Sequence, residues 1–244
     1  METFDFEPHY KAHIVSSPTR AAPLRHTFQQ PRKGTGSRGP WLIVEVTAQS
    51  AEWSGAFEYG DPDYSLTGLF ALPSPDHLLV LARGTPYIVP VHAPATWRLP
   101  PTYPVLGVRR VIGADLVTLW DFQNLAVYGP EGLLWSIDEV ATDDLTVTEA
   151  HSGLLRGTLT NGGSVGVPFR IRAHTGEVEE PSTLLRPSLV RGERGEPIPT
   201  LMGDDRSAAP RLGSPRWLGF ERDPLHRAID WVLARVGWTS RDTG

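Results

Sequence analysis

The chain has 244 residues and a formal net charge of -5, with 40% hydrophobic and 21% charged residues, which is an ordinary composition for a globular protein with a real core. The negative charge excludes a general attraction to nucleic acid or to an anionic membrane. Because there is no cysteine, disulfide scaffolds, thiolate metal sites, iron–sulfur clusters and cysteine nucleophiles are excluded as well.

The sequence also gives expectations about location. The first residues do not show a basic stretch followed by an apolar one, so no signal peptide is predicted. No window approaches the roughly 18 consecutive apolar residues of a membrane span. We therefore expect a soluble protein of a bacterial cytoplasm, without a membrane partner.

Residues 1–40 are predicted to form an N-terminal segment with a mobile basic arm. The arm, residues 16–40, contains five basic residues and no acidic one: Arg20, Arg25, Arg32, Lys33 and Arg38. Its four prolines and three glycines make a packed structure unfavourable. Such an arm is a solvated connector or a partner-binding element, and with this overall charge nucleic acid is not the expected partner.

Regular structure is predicted to begin at Trp41, where WLIVEVT is a strongly hydrophobic strand. Residues 78–82 and 87–91 flank Arg83-Gly84-Thr85-Pro86, which predicts a hairpin whose tight turn uses Gly84 in a left-handed conformation. Pro90 lacks the N–H that a central strand donates, so the second strand of this hairpin is predicted at a sheet edge.

A β-rich domain is predicted over residues 41–180. Short runs of β-branched and aromatic residues alternate with glycine turns from Val105 to Val178, and similar units recur over 66–100, 105–138 and 145–180. The pattern predicts a mainly β fold, an antiparallel meander forming a barrel or a sandwich, with a small or incomplete propeller as the alternative. The core is predicted to include Val117, Leu119, Trp120, Leu133 and Trp135.

The C-terminal part has a different composition. Residues 181–221 are rich in Pro, Gly and Arg and are predicted to be irregular. Residues 222–238 are predicted to form one docking helix, capped by Asp223-Pro224 and ended by Gly237. The default role of its apolar face is to pack on the β-domain. That face is formed by Leu225, Ile229, Val232, Leu233 and Val236.

No motif for a cofactor, a metal or a catalytic residue stands out. One stretch, residues 45–64, interleaves carboxylates with aromatic rings, a mixture found at protein interfaces and in sugar-processing clefts. The turn Gly60-Asp61-Pro62-Asp63 would expose side chains at a sheet end, where loops carry function. The predicted binding residues are Trp53, Tyr59, Asp61, Asp63 and Tyr64.

These observations predict a non-catalytic module of accessory or immunity type that binds another protein or a small ligand. The partner surface would be the acid–aromatic stretch or the basic arm. The alternative is a carbohydrate-active or other hydrolytic enzyme using residues 45–64, with Glu52 or Glu58 as a catalytic acid. An enzyme of that kind requires two carboxylates that converge to within about 5–10 Å.

Overall fold

The computed structural model describes residues 1–18, 24–30, 40–180 and 188–191, all within one compact unit, Met1–Leu201. The predicted helix at 222–238 and most of the predicted irregular segment at 181–221 lie outside the described residues. The same holds for four basic residues of the arm: Arg20, Arg32, Lys33 and Arg38.

The fold is mainly β, as predicted, with one short 3-10 helix at Pro94–Thr96 among the described residues. The first strands are β1 (Tyr10–Val15), β2 (Leu24–Phe28), β3 (Trp41–Ala48), β4 (Glu52–Glu58), β5 (Gly68–Ala71), β6 (His77–Ala82) and β7 (Thr85–Pro90). They are followed by β8 (Gly107–Arg110), β9 (Val117–Trp120), β10 (Leu125–Gly129), β11 (Gly132–Asp138), β12 (Asp143–His151), β13 (Leu154–Asn161), β14 (Ser164–Arg172), β15 (Val178–Glu180) and β16 (Ser188–Arg191).

The strands form four sheets that follow the chain. Sheet I has the order β1-β3-β4-β2, sheet II β5-β6-β7, sheet III β16-β11-β10-β9-β8 and sheet IV β12-β13-β14-β15. All pairings between these strands are antiparallel except the parallel pair β2–β4. None of the four sheets closes on itself, so the barrel is not the observed form of the predicted meander.

Successive sheets pack face to face through three hydrophobic clusters. One joins sheets I and II, one joins II and III, and one joins III and IV. Sheets II and III are therefore covered on both faces, which explains why β9 is buried along its whole length and β6 is buried after its first residue. Strand β12 of sheet IV instead alternates buried and exposed residues because only one of its faces is covered.

The predicted core residues are mostly confirmed. Val117, Leu119, Trp120 and Trp135 are buried, whereas Leu133 is only half-buried at the side of the cluster between sheets II and III. The predicted hairpin is β6–β7, and Gly84 has a φ of 71° as its tight turn requires. Strand β7 ends sheet II, so Pro90 does lie on an edge strand.

Strands also occur outside the predicted limits 41–180. Strands β1 and β2 lie within residues 1–40 and complete sheet I, and β16 lies within 181–221 and pairs with β11. Phe28 explains why β2 joins the sheet. Its ring is buried and stacks on Phe57 with centroids 4.1 Å apart, which removes two large apolar surfaces from water.

Two buried tryptophans connect neighbouring sheets in the same way. The indole N–H of Trp53 on β4 donates to the carbonyl of Val91, which follows β7, at 2.9 Å. The indole N–H of Trp135 on β11 donates to the carbonyl of Ala173, which follows β14, at 2.7 Å. Donor and acceptor are 38 residues apart in both cases. The same indole-to-carbonyl hydrogen bond thus joins sheet I to sheet II and sheet III to sheet IV. We call these two contacts the tryptophan clasps.

The N-terminal residues run across the contact between sheets II and III. Glu2 pairs with the edge of β5, accepting from the N–H of Ala71 and donating to the carbonyl of Leu69. On the other side, Arg110 of β8 donates to the carbonyl of Phe4 and to the Asp5 carboxylate. We call residues 2–6 the N-terminal strap.

One half-buried histidine, His77, predicts how stability depends on pH. Burial lowers the pKa of His77, the nearby Arg98 charge lowers it further, and Asp76 opposes them. In the unfolded chain His77 takes up a proton near the ordinary histidine pKa of 6.5, whereas in the folded protein it does so only at a lower pH. Stability from this group is therefore complete above pH 6.5 and is lost as the pH falls below that value.

We expect the His77→Asn variant to lose less unfolding free energy than the parent between about pH 7 and about pH 5, measured by urea unfolding. Asn can still contact the hydroxyl of Ser74, which lies 2.8 Å from His77 Nδ1. Equal slopes for the parent and the His77 variant would contradict the prediction.

Candidate interaction surface

Five connections between strands are joined to one another by hydrogen bonds. The β4–β5 connection binds the β6–β7 turn at both ends, through Gly60 N–H to the Ala82 carbonyl and Gly84 N–H to the Leu66 carbonyl. The same turn accepts at the Gly84 carbonyl from the N–H of Val105, just before β8. These hydrogen bonds fix the backbone of the connections relative to the sheets, so the positions from which their side chains project are fixed as well.

The row continues to sheet IV. The carbonyl of Phe122, in the β9–β10 connection, accepts from the N–H of Leu145, and the amide of Gln123 donates to the carbonyl of Thr142. Asn124 accepts from the N–H of Glu139 at 3.0 Å. Residues that are distant in sequence thus meet along one line of loops.

The turn at Asp61 places two carboxylates at this row. The Asp61 carboxylate accepts from the N–H of Asp63 at 3.0 Å, and the Asp61 carbonyl accepts from the N–H of Tyr64. Asp63 is exposed and Asp61 is half-buried. Proline at 62 and the side-chain cap on Asp63 stabilise this turn locally, which is why the sequence alone predicts it.

Tyr64 is flanked by aromatic residues from two other connections. The centroid of its ring is 6.2 Å from that of Phe122. Pro104 and Tyr64 both lie against Gly84, which brings the neighbouring Tyr103 to the same place. Tyr103 remains 49% exposed.

The charges of this group act on one another. Burial raises the pKa of the Tyr64 phenol, and the Asp61 carboxylate, Tyr103 and Asp63 raise it further. The pKa of Asp138, at the end of β11, is raised by burial and then by Asp121 and Glu139. The carboxylates among these causes, Asp61, Asp63, Asp121 and Glu139, place negative charge along the row of connections, which favours a cationic partner.

Tyr59 lies at the start of the β4–β5 connection and contacts a cation of its own chain. The guanidinium carbon of Arg83 is 4.8 Å from the centroid of the Tyr59 ring, within the range of a cation–π contact. Tyr59 is half-buried. We define the recognition surface by the residues that the three connections bring together: Tyr59, Asp61, Asp63, Tyr64, Tyr103 and Phe122.

Trp53, the fifth residue predicted to bind, has a different position. Only 3% of it is exposed, and its indole forms a tryptophan clasp with Val91. Its ring also meets the ring of His26 edge-on, at 5.6 Å between centroids. This environment gives Trp53 a packing role and places it apart from the recognition surface.

The two glutamates of the hydrolase alternative do not form a pair. Glu52 and Glu58 are the first and last residues of β4, so they are about 20 Å apart along the strand. Glu52 is exposed, whereas Glu58 is buried. This separation exceeds the spacing of a glycosidase carboxylate pair.

Other features of the described residues do not add a chemical centre. No three histidine or carboxylate side chains among them are grouped as metal ligands. An open groove of about 430 Å³ lies between β1 and β5, lined by residues that include His13, Ile14 and Phe70. No helix in the described part of the chain is long and apolar enough to cross a bilayer.

Tyr103 and Phe122 are members of the recognition surface that the sequence did not identify. They stand 39 and 58 residues after Tyr64 in the chain, and only the packing of sheets II and III brings them close. A signal for Tyr103 does exist, because an aromatic residue within Pro100-Pro101-Thr102-Tyr103-Pro104 is exposed on a stiff segment.

Comparison with known proteins gives no relative from which a role could be transferred. No family model matches the chain, no curated protein matches its sequence, and no solved structure matches its fold.

Proposed function

We propose that this protein is a non-catalytic protein-interaction module, of accessory or immunity type, that acts in the cytoplasm. It binds a basic segment of another protein through the recognition surface. The observation that carries the proposal is the assembly of Asp61, Asp63, Tyr64, Tyr103 and Phe122 on connections that hydrogen bonds hold in place. A surface fixed before binding loses little conformational entropy when it meets a partner.

The chemistry of the surface favours arginine in the partner. Carboxylates on rigid loops pair with guanidinium groups, and aromatic faces accept the same planar cation by stacking. The contact of Arg83 with Tyr59 is an example within the chain. Aromatic residues with an apolar body and a polar tip are also the usual anchors of protein interfaces.

A sugar-binding or hydrolytic function is the other candidate from the sequence. It would use the same rings for stacking on a pyranose, but the catalytic pair it needs is not provided by Glu52 and Glu58, at opposite ends of β4.

The experiment is titration of the full chain with a fluorescent oligo-arginine peptide, followed by anisotropy. We expect the double variant Asp61→Lys, Asp63→Lys to bind the peptide at least about tenfold more weakly, because two attractive charges become repulsive. Tyr64→Ala should weaken binding as well, by removing the central ring. Binding by the parent should weaken at higher salt.

A matched control carries the same change in net charge elsewhere. Asp115 and Glu131 are exposed in the β8–β9 and β10–β11 connections, at the opposite ends of these strands, and both change to Lys in the control. Binding in the control should stay close to that of the parent. Equal loss in both double variants would show that net charge, not this surface, binds the peptide, and glycan hydrolysis by the parent would overturn the non-catalytic assignment.

A further inference from the structure

A buried carboxylate, Asp121, lies directly beneath the recognition surface. It is 2% exposed and follows the last residue of β9. Its Oδ1 accepts from the backbone N–H of Gln123 at 2.8 Å and of Asn124 at 2.7 Å. Its Oδ2 accepts from the backbone N–H of Tyr103 at 2.8 Å and from the side-chain amide of Asn124 at 2.9 Å.

All four acceptor positions of this carboxylate are therefore in use. A buried carboxylate is strongly unfavourable unless donors compensate it, so the donors cannot move away without a large cost. Bonds to an ionised acceptor are also about twice as strong as neutral ones. Asp121 therefore holds the backbone of Gln123, Asn124 and Tyr103 in place.

The two oxygens hold two different parts of the recognition surface. Oδ1 closes the β9–β10 turn that carries Phe122, and Oδ2 holds the backbone of Tyr103 in the segment before β8. Phe122 and Tyr103 are the residues that flank Tyr64. One side chain thus sets the distance between the two elements on either side of the central ring.

We propose that Asp121 is a positioning residue for recognition: by binding the Tyr103 N–H and the Phe122 turn together, it keeps the aromatic cleft around Tyr64 in its binding form. This inference rests on the proposed function, since it concerns the same surface. Asp121 itself is buried and does not touch the partner.

Asparagine at this position is the informative substitution. An amide has one oxygen and one NH2 group, so in either orientation two of the four N–H donors face another donor. The two turn donors are closer in sequence and keep the oxygen, which leaves the Tyr103 N–H without its acceptor. In Asp121→Asn we expect the Tyr103 amide to exchange with deuterium about ten- to a hundredfold faster, while the amides of Val117–Trp120 are unchanged.

Two further readouts distinguish positioning from simple structural support. Because Tyr103 contributes to the raised pKa of Tyr64, that pKa should fall toward its ordinary value in Asp121→Asn, followed by NMR titration of the Tyr64 ring. Affinity for the oligo-arginine peptide should fall several-fold in the same variant. Asp138→Asn, which removes a neighbouring carboxylate charge but leaves the Tyr103 tether, should keep parental exchange at Tyr103.

The results for Asp121→Asn and for the parent support or overturn the proposed role of Asp121 as follows. Faster exchange with a lower Tyr64 pKa and weaker peptide binding supports the proposal, and faster exchange with unchanged binding overturns it. A parent that does not bind the peptide overturns the proposed function, even where the tether to Tyr103 is found. If Asp121→Asn does not fold, exchange in the parent decides: a Tyr103 amide that exchanges as fast as a free peptide overturns the proposal, and a protected one supports it.

Discussion

Replacing Trp135 with Ala is expected to lower the free energy of unfolding by about 3–5 kcal/mol, measured by urea denaturation. Trp135 is 1% exposed and lies in the cluster between sheets III and IV. The substitution empties a volume that neighbouring strands fill only in part, and it leaves the carbonyl of Ala173 without the indole donor. For a domain of this size, such a loss is a large part of the total stability.

The adjacent residue is the control for this prediction. Leu134 is the extra residue of a β-bulge on the same strand and is 37% exposed. Leu134→Ala should change the unfolding free energy by less than about 1 kcal/mol, because little apolar surface leaves water at that position. A Trp135→Ala protein that unfolds like the parent would mean that the indole does not connect sheets III and IV.

Trp53→Ala is expected to have an effect of the same size, about 3–5 kcal/mol, because Trp53 forms the equivalent clasp between sheets I and II. The Trp53→Phe variant separates the contribution of ring packing from that of the hydrogen bond. It keeps an aromatic ring in the cluster but removes the hydrogen bond to Val91, so a cost of about 1–3 kcal/mol is expected from the unsatisfied carbonyl.

The Trp53→Phe variant also tests where recognition occurs. Trp53 is buried and lies apart from the recognition surface, so the folded variant should bind the oligo-arginine peptide as the parent does. If a folded Trp53→Phe variant does not bind the peptide, Trp53 takes part in binding and the prediction is wrong. Circular dichroism and the peptide titration together give both answers from one preparation.

The sequence predicts the strands of this protein well because their signals are local. The hairpin at Arg83-Gly84 and the runs around Val117 and Trp135 are specified by neighbouring residues, by glycine turns and by β-branched content. The order of strands within sheet I is different. Strand β2 pairs in parallel with β4 across a long connection, and such non-local pairing leaves no periodic trace in the sequence.

The same distinction applies to the recognition surface. Asp61, Asp63 and Tyr64 belong to one turn that its composition predicts, and they do lie together. Phe122 and Tyr103 come from other connections and are added only by the face-to-face packing of sheets II and III. Trp53 illustrates the converse: an aromatic residue beside carboxylates in sequence points to the opposite side of its strand from Glu52 and Ser54.

The N-terminal strap bears on where the native protein opens first. Each tryptophan clasp secures one pair of sheets, whereas the contact between sheets II and III contains no clasp and is crossed by residues 2–6. Transient opening of the native protein is therefore expected to begin at that middle contact, with each pair remaining intact as a cooperative unit. Loss of the contacts of Arg110 with Phe4 and Asp5 would release the strap, and it is expected to make that opening more frequent.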